Sequence, residues 1–212
     1  SRGKRVGIID LTAGEMGSSG SAETRAREAA NAGALMGLAL RACAELPDSL
    51  LRNDHESRLV VAALLRAFRP RVVITHWKVG RHRDHRVASE LVRDACFLAA
   101  LRKLEVPGEP FRPHKLIYAT AFREDADPPD FVVDITDQMD RKLDAIAAYS
   151  SQFDNATQAG EVFPGGGRDL IAQIRAKTAH YGSLIRARYG EPYRVDETME
   201  VDEVSELGVS TF

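Results

Sequence analysis

The stretch RVVITHWKVGRHRDHRVASELVRDACFLAAL, Arg71 to Leu101, moves from an apolar run into a polar loop and then into a repeat of helical period. Its first part, with the preceding proline PRVVITH, is short, β-branched and without alternation, which reads as a strand buried on both faces. From Asp84 onward, Val87, Leu91, Ala95, Leu98 and Leu101 fall on one helical face. Three of the chain's six histidines, His76, His82 and His85, lie in the loop and its borders.

The same alternation extends in both directions. KRVGIIDL, Lys4 to Leu11, reads as another buried parallel strand, and a glycine- and serine-rich loop, Thr12 to Ser21, follows it. An alanine-rich helix is expected from Ala22 to Leu38, with Ser21 as N-cap and Arg25 in its first turn. A second helix is expected from His55 to Phe68, with Leu59, Ala62, Ala63 and Ala67 at helical spacing. KLIYATAF and DFVVDI read as strands, TDQMDRKLDAIAAYSSQF as a helix capped by Thr136, and a last helix runs from about Asp169 to Arg188 after the break FPGGGRD. Strands alternating with helices predict an α/β fold with a mostly parallel sheet covered on both faces. In such sheets ligands gather at the carboxyl ends of strands, so the loops Thr12 to Ser21 and Trp77 to His85 are expected to face one site.

Composition narrows the choice of partner. The chain has 212 residues, 44 % of them hydrophobic, enough for one α/β domain with its own core. Lys and Arg number 29 against 31 Asp and Glu, and a formal charge of −2 gives no broad electrostatic reason to expect nucleic acid or an anionic membrane. The two cysteines, Cys43 and Cys96, sit among small apolar residues and read as buried thiols, which suits a reducing cytoplasm. No apolar run approaches the roughly 20 residues that span a bilayer, and no signal-peptide pattern is present.

Histidine supplies a neutral imidazole to a metal or a proton near neutrality. His82 and His85, three apart, point the same way if the loop is already turning into the helix, and Asp84 between them can hold one imidazole in a single tautomer. Against this stands the plainer reading, since H-x-x-H without a glutamate is a weak motif. His76 then reads as a structural residue closing its strand, and His55 as a helix-start residue. A metal phosphohydrolase of the histidine–aspartate kind needs further scattered ligands that the α/β pattern does not supply. GEMGSSGS lacks the spacing of a dinucleotide or P-loop motif, and PGGGR, Pro164 to Arg168, reads as a turn.

Taken together, GIIDLTAGEMGSSGSAETRAREA, GRHRDHRVASELVRDACFLAALRK and AIAAYSSQF resemble the LmbE/PIG-L-type N-acetylglucosaminyl deacetylases, and most closely their bacillithiol-biosynthesis branch. The resemblance implies a Rossmann-like fold, a mononuclear zinc and hydrolysis of the acetamide of an N-acetyl sugar conjugate, with N-acetylglucosaminyl malate as the substrate. His82-Arg83-Asp84-His85 matches the family's H-P-D-H motif, with Arg83 in place of proline. On that match His85 is a zinc ligand, and His82, oriented by Asp84, is the histidine that acts in the transition state. The resemblance also implies substrate binding by Arg25, Arg112 and Tyr189, and a cytoplasmic homo-oligomer, often a hexamer.

The family's A-H-P-D-D motif, which supplies the other two zinc ligands and the general base, has no match here. The opening SRGKRVGIIDL corresponds to the family's second strand. A first strand and helix of roughly 25–30 residues, the size of a strand plus crossover helix, are therefore expected to be missing. The absence of an initiating methionine favours truncation. The competing expectation is a metal-free, non-catalytic member that binds carbohydrate or forms oligomers.

Overall fold

The computed structural model describes residues 3–17, 19–120, 128–154, 157–158 and 170–208. They fall into two compact units, one made of Ser1–Arg52 with Asp137–Ile174, the other of Asn53–Thr136 with Arg175–Phe212.

In the first unit, β1 (Gly7–Asp10) pairs in parallel with β2 (Leu40–Cys43), and α1 (Ala22–Met36) forms the crossover between them. Ser21 caps α1 as expected, its hydroxyl accepting from Thr24 N–H. Gly37 ends the helix in the left-handed conformation that a residue without Cβ adopts at no steric cost. The sequence reading missed β2 and placed β1 among buried strands, whereas Gly7 is exposed and the remaining three residues are half-buried. Cys43, at the end of β2, is exposed, so only Cys96 is the buried thiol that was expected. The Arg41 guanidinium holds the sheet to its surroundings, donating twice to the Asp10 carboxylate at 2.7 and 2.9 Å, once to Ala29 O and once to Tyr149 Oη.

Helix α4 (Met139–Ala147) packs on α1. Thr136 does not cap it: Thr136 begins a short 3-10 turn, and its hydroxyl accepts from Tyr189 N–H instead. Glu28 of α1 is buried and accepts from Ser150 Oγ, Ser151 N–H and Ser151 Oγ. Burial pushes this carboxyl up, but the bonds from Ser151 and Ser150 and the Arg25 charge outweigh it and hold it below the usual value. β6 (Phe153–Asp154) and β7 (Thr157–Gln158) form a two-residue antiparallel pair. The expected PGGGR turn lies outside the described residues.

In the second unit, α2 (His55–Phe68) has the predicted bounds and is capped by Asp54. β3 (Val72–His76) pairs in parallel with β4 (Lys115–Ala119), and α3 (Arg83–Ala99) follows the histidine loop. β8 (Gly190–Arg194) lies antiparallel between β4 and β5 (Phe131–Asp134), which makes this sheet mixed. Gly190 and Pro192 hid β8 from a propensity reading. Proline is tolerated because only Tyr193 and Arg194 pair with β4, so at Pro192 the strand has one neighbour. α5 (Leu170–Leu184) ends before the predicted Arg188. The α/β class holds, with parallel pairing at β1–β2 and β3–β4. Among the described residues no helix is long and apolar enough to cross a membrane.

α2 and α3 bury Val61, Leu65, Leu91, Ala95 and Ala99 between them, while Leu101 falls past the end of α3 and is exposed. Arg66 is buried on α2, and its guanidinium donates to the carbonyls of Ala99, Leu101, Leu104, Val106 and Gly108. It gathers carbonyls of the C-terminal end of α3 and of the loop beyond, three of which also accept a backbone N–H, where cationic groups are favoured by the helix dipole. Replacing Arg66 by alanine removes a charge-assisted bond from each of these carbonyls, most of them partly buried, a loss of about 1–3 kcal/mol wherever water does not take its place. Urea unfolding of Arg66→Ala is therefore expected to show a loss of at least about 3 kcal/mol, and a loss below about 1 kcal/mol would show that water replaces the guanidinium freely.

Candidate active site

β3 ends at His76, and α3 starts seven residues later, at Arg83. The connecting loop is fastened at both ends. Trp77 N–H donates to Ala119 O, and the buried indole meets the Tyr118 ring edge-on at 5.3 Å, with the Lys78 ammonium and the Arg194 guanidinium each 4.7 Å from its centroid. Lys78 is paired with Asp196 at 2.9 Å. At the far end the Arg86 guanidinium donates to Gly80 O and Arg81 O, curling the loop back toward the first turn of α3.

This junction gathers the three histidines. The His85 ring stacks on His76 at 4.1 Å and on His82 at 4.6 Å. The convergence of His82 and His85 expected from their spacing is present, and His76, read from sequence as structural, belongs to the same stack. His55 starts α2, as expected. The only sequence signal for His76 was its place at the strand end beside the loop.

His82 occupies the N-cap of α3, and its Nδ1 accepts from Asp84 N–H at 3.2 Å. An accepting Nδ1 leaves the proton of a neutral ring on Nε2, so Nε2–H is the free donor. Asp84 thus orients His82 through its backbone. Its carboxylate does not make the imidazole bond that the sequence suggested: Oδ1 accepts from the Arg83 guanidinium at 2.9 Å, and buried Oδ2 has no hydrogen-bond partner. An unsatisfied carboxylate oxygen in a side chain only 8 % exposed is a ready acceptor for a proton or a ligand donor.

His85 is lowered to about 4, by burial first and then by the neighbouring His76 and His82, with Asp84 acting in the opposite sense. His76, which keeps an exposed face, is lowered by burial of the rest of its ring and by His82. Both rings are neutral at pH 7 and carry a lone pair, the form that accepts a proton or a metal. A zinc site needs three protein ligands as a rule. Here the rings stack face to face, and among the described residues no group of three His, Cys, Asp or Glu side chains is placed to hold a metal.

The remaining sequence candidates are not all brought to this junction. Arg25 folds back over its own loop, Nη1 donating to Gly14 O at 2.9 Å, and a Cβ at Gly14 or Gly17 would collide with the guanidinium. Glu28 of the same helix, on which the Arg25 charge acts, has its hydrogen bonds from Ser150 and Ser151. The Arg112 guanidinium lies exposed over Phe97 at 5.7 Å. Phe97 is twelve residues beyond His85 on α3, about 18 Å along the axis at 1.5 Å per residue, so Arg112 and the histidines occupy opposite ends of that helix. Tyr189 is half-buried just before β8, held by its backbone to Thr136 and Ile135, with the Arg188 guanidinium 5.4 Å from its ring.

Residues 1–96 match the PIG-L family model, described as GlcNAc-PI de-N-acetylase. That span contains both the Gly-Ser loop and the histidine junction. Among solved structures, the conserved protein TT1542 from Thermus thermophilus is 36 % identical with a TM-score of 0.83, over 95 % of this chain and 86 % of its own. The N,N'-diacetylchitobiose deacetylase from Pyrococcus horikoshii, complexed with an inhibitor, is 25 % identical with a TM-score of 0.73, over 91 % of this chain and 73 % of its own. A 4-carboxy-2-hydroxymuconate hydratase from Pseudomonas putida shares the fold at a TM-score of 0.76 and 17 % identity, over 96 % and 88 % of the two chains. A relative this similar over nearly the full length, together with the family match across the loop and the histidines, establishes that the chain belongs to the PIG-L family.

Proposed function

We propose that the chain is an N-deacetylase, a hydrolase acting on the acetamide of an N-acetylglucosaminyl conjugate. The observation that carries this reading is the imidazole stack at the β3–α3 junction, where His82 Nδ1 accepts from Asp84 N–H, leaving Nε2–H as the ring's donor, and a buried Asp84 oxygen has no hydrogen-bond partner. Family membership and the diacetylchitobiose deacetylase among the similar structures support the substrate class. As water attacks the acetamide, negative charge grows on the carbonyl oxygen, and the His82 Nε2–H at the start of α3 is suited to meet it. Malate as the aglycone is proposed on the resemblance alone, as is a cytoplasmic homo-oligomer.

Zinc is the metal that the resemblance implies, but the described donors do not amount to a zinc site, so no step is routed through it. A metal-free, non-catalytic carbohydrate-binding or oligomer-forming member is the second reading. One observation favours it: the use of His82 as a helix cap.

Measurements of turnover, metal content and titration test these statements. Release of free amine from N-acetylglucosaminyl conjugates distinguishes the readings, since sugar binding without turnover supports the second. In the active protein His82→Ser is expected to lower kcat about a hundredfold or more, the loss of one oxyanion donor, while serine preserves the helix cap. A twofold effect would reduce His82 to its capping role.

The chain, stripped with chelator and dialysed against zinc, is expected to retain less than one ion per chain by elemental analysis. One tightly held zinc would mean that donors beyond the described residues complete the site.

In metal-free protein, NMR titration is expected to place His85 near 4. Its folded value lies below the ordinary 6.5, so the unfolded chain binds more protons in between. The contribution of His85 to stability is then complete above about 6.5 and lost as pH falls toward about 4. His85→Gln should flatten that part of the stability profile, and an unchanged profile would contradict the burial of the ring.

A further inference from the structure

Asp196 lies two residues past the end of β8, and its side chain is only 15 % exposed. One carboxylate oxygen accepts from the Lys78 ammonium at 2.9 Å, the other from the Arg93 guanidinium at 3.1 Å. Lys78 belongs to the histidine loop and Arg93 to α3, so a single carboxylate ties the loop to the helix it leads into. Burial first, and then the Asp196 charge, raise the Tyr118 phenol, which sets the same carboxylate against β4 as well.

The same short segment holds the loop a second time. The Arg194 guanidinium and the Lys78 ammonium each lie 4.7 Å from the centroid of the Trp77 ring. Arg194 also pairs with Asp130 at 3.3 Å, and Val195 N–H donates to Asp130 Oδ2 at 2.8 Å, so residues 194–196 are themselves fixed at the start of β5. Trp77 and Lys78 directly follow His76. Moving them turns the peptide at His76, whose ring stacks on His85 at 4.1 Å.

The Lys78 and Arg93 side chains are half exposed, and ion pairs open to solvent contribute little to stability. What two such pairs on one carboxylate do fix is geometry, because residues 77–82 cross from β3 to α3 with no regular secondary structure of their own. A reacting group displaced by about 1 Å can lose a hundredfold in rate. We propose that Asp196 is a positioning residue: by holding Lys78 and Arg93 together it keeps His76 stacked on His85, and through that stack it sets the place of His82. Its effect on turnover rests on the N-deacetylase reading; its effect on the stack does not.

The test compares the full chain with Asp196→Asn, which keeps the shape of the side chain and removes its charge, and with Lys78→Met, which keeps an apolar stem and removes the ammonium. Turnover is read as free amine released from N-acetylglucosaminyl malate, the stack as the nuclear Overhauser effect between the His76 and His85 ring protons, and folding by circular dichroism. Each variant is expected to lower kcat about tenfold with KM within about twofold, as misplacement of a reacting group does. Each is also expected to weaken the ring-to-ring effect by at least half while leaving Tm nearly unchanged. The double variant is expected to be no worse than the poorer single one, because both remove the same link. An unchanged kcat in the single variants overturns the proposal, and so does a lowered kcat with the ring contact intact, since the loss then bypasses the histidines. Additive losses in the double variant overturn it as well. If Asp196→Asn fails to fold, Lys78→Met carries the same expectations. An unaltered chain without turnover removes the deacetylase reading instead, and the ring contact alone then decides: persistence in both variants overturns the positioning role.

Discussion

The bond from Asp84 N–H to His82 Nδ1 is the constraint on which the candidate site depends. It satisfies one of the free N–H groups at the start of α3, and in doing so stops the imidazole from turning. With His82 fixed, His85 one turn further along the helix has a defined neighbour, and its other face meets His76 at the end of β3. A helix cap and a strand end therefore build the stack together. Strand pairing supports it from behind: Trp77 N–H continues the β3–β4 ladder one step past His76 and sets where the loop departs.

Stacked imidazoles repel one another when charged, and burial adds to that penalty. The consequence is visible at His85, held near 4, and in the lowered value of His76. A site built this way offers lone pairs at neutral pH. Positive charge comes instead from Arg83, Arg86, Lys78 and Arg194, each already engaged with a carboxylate, a carbonyl or the Trp77 ring. Asp84 is the exception to this pairing, with one buried oxygen left open. Such an atom costs stability in a resting protein, and sites that bind a ligand are where that cost is tolerated.

Much of this was legible in the sequence. The extent of α2 could be read from the apolar spacing with His55 at its start, and Ser21 marked the start of α1 as its cap. What escaped was whatever depends on partners distant in the chain. β8 contains Gly190 and Pro192 and is a strand only because Val132 and Ala119 lie alongside. Thr136 has a capping residue's chemistry but spends its hydroxyl on Tyr189. His76 looked structural because its neighbour in the stack is nine residues away, across a loop whose path spacing alone does not define. Arg112 shows the reverse case: resemblance drew it toward the site, while its guanidinium lies over Phe97, about 18 Å along the α3 axis from His85.

The two ends of α3 thus have different physical characters, and the helix accounts for both. At its N-terminus the free N–H groups and the dipole favour an acceptor, and there a capping imidazole and an unpartnered carboxylate oxygen lie side by side. At its C-terminus the carbonyls have no further helical N–H to accept from, and Arg66 enters the interior to gather them together with the loop. That arginine has no carboxylate partner in its hydrogen bonds; five carbonyl dipoles carry the compensation, which is possible only where a helix end and a returning loop turn their oxygens to one point. Further cations outside, Arg69, Arg102, Lys103 and Arg112, are exposed and can interact with charges arriving from solution. Exposed apolar side chains persist among them because a helix end occupied in holding its own loop has no second layer of this unit to bury Phe97 and Leu101.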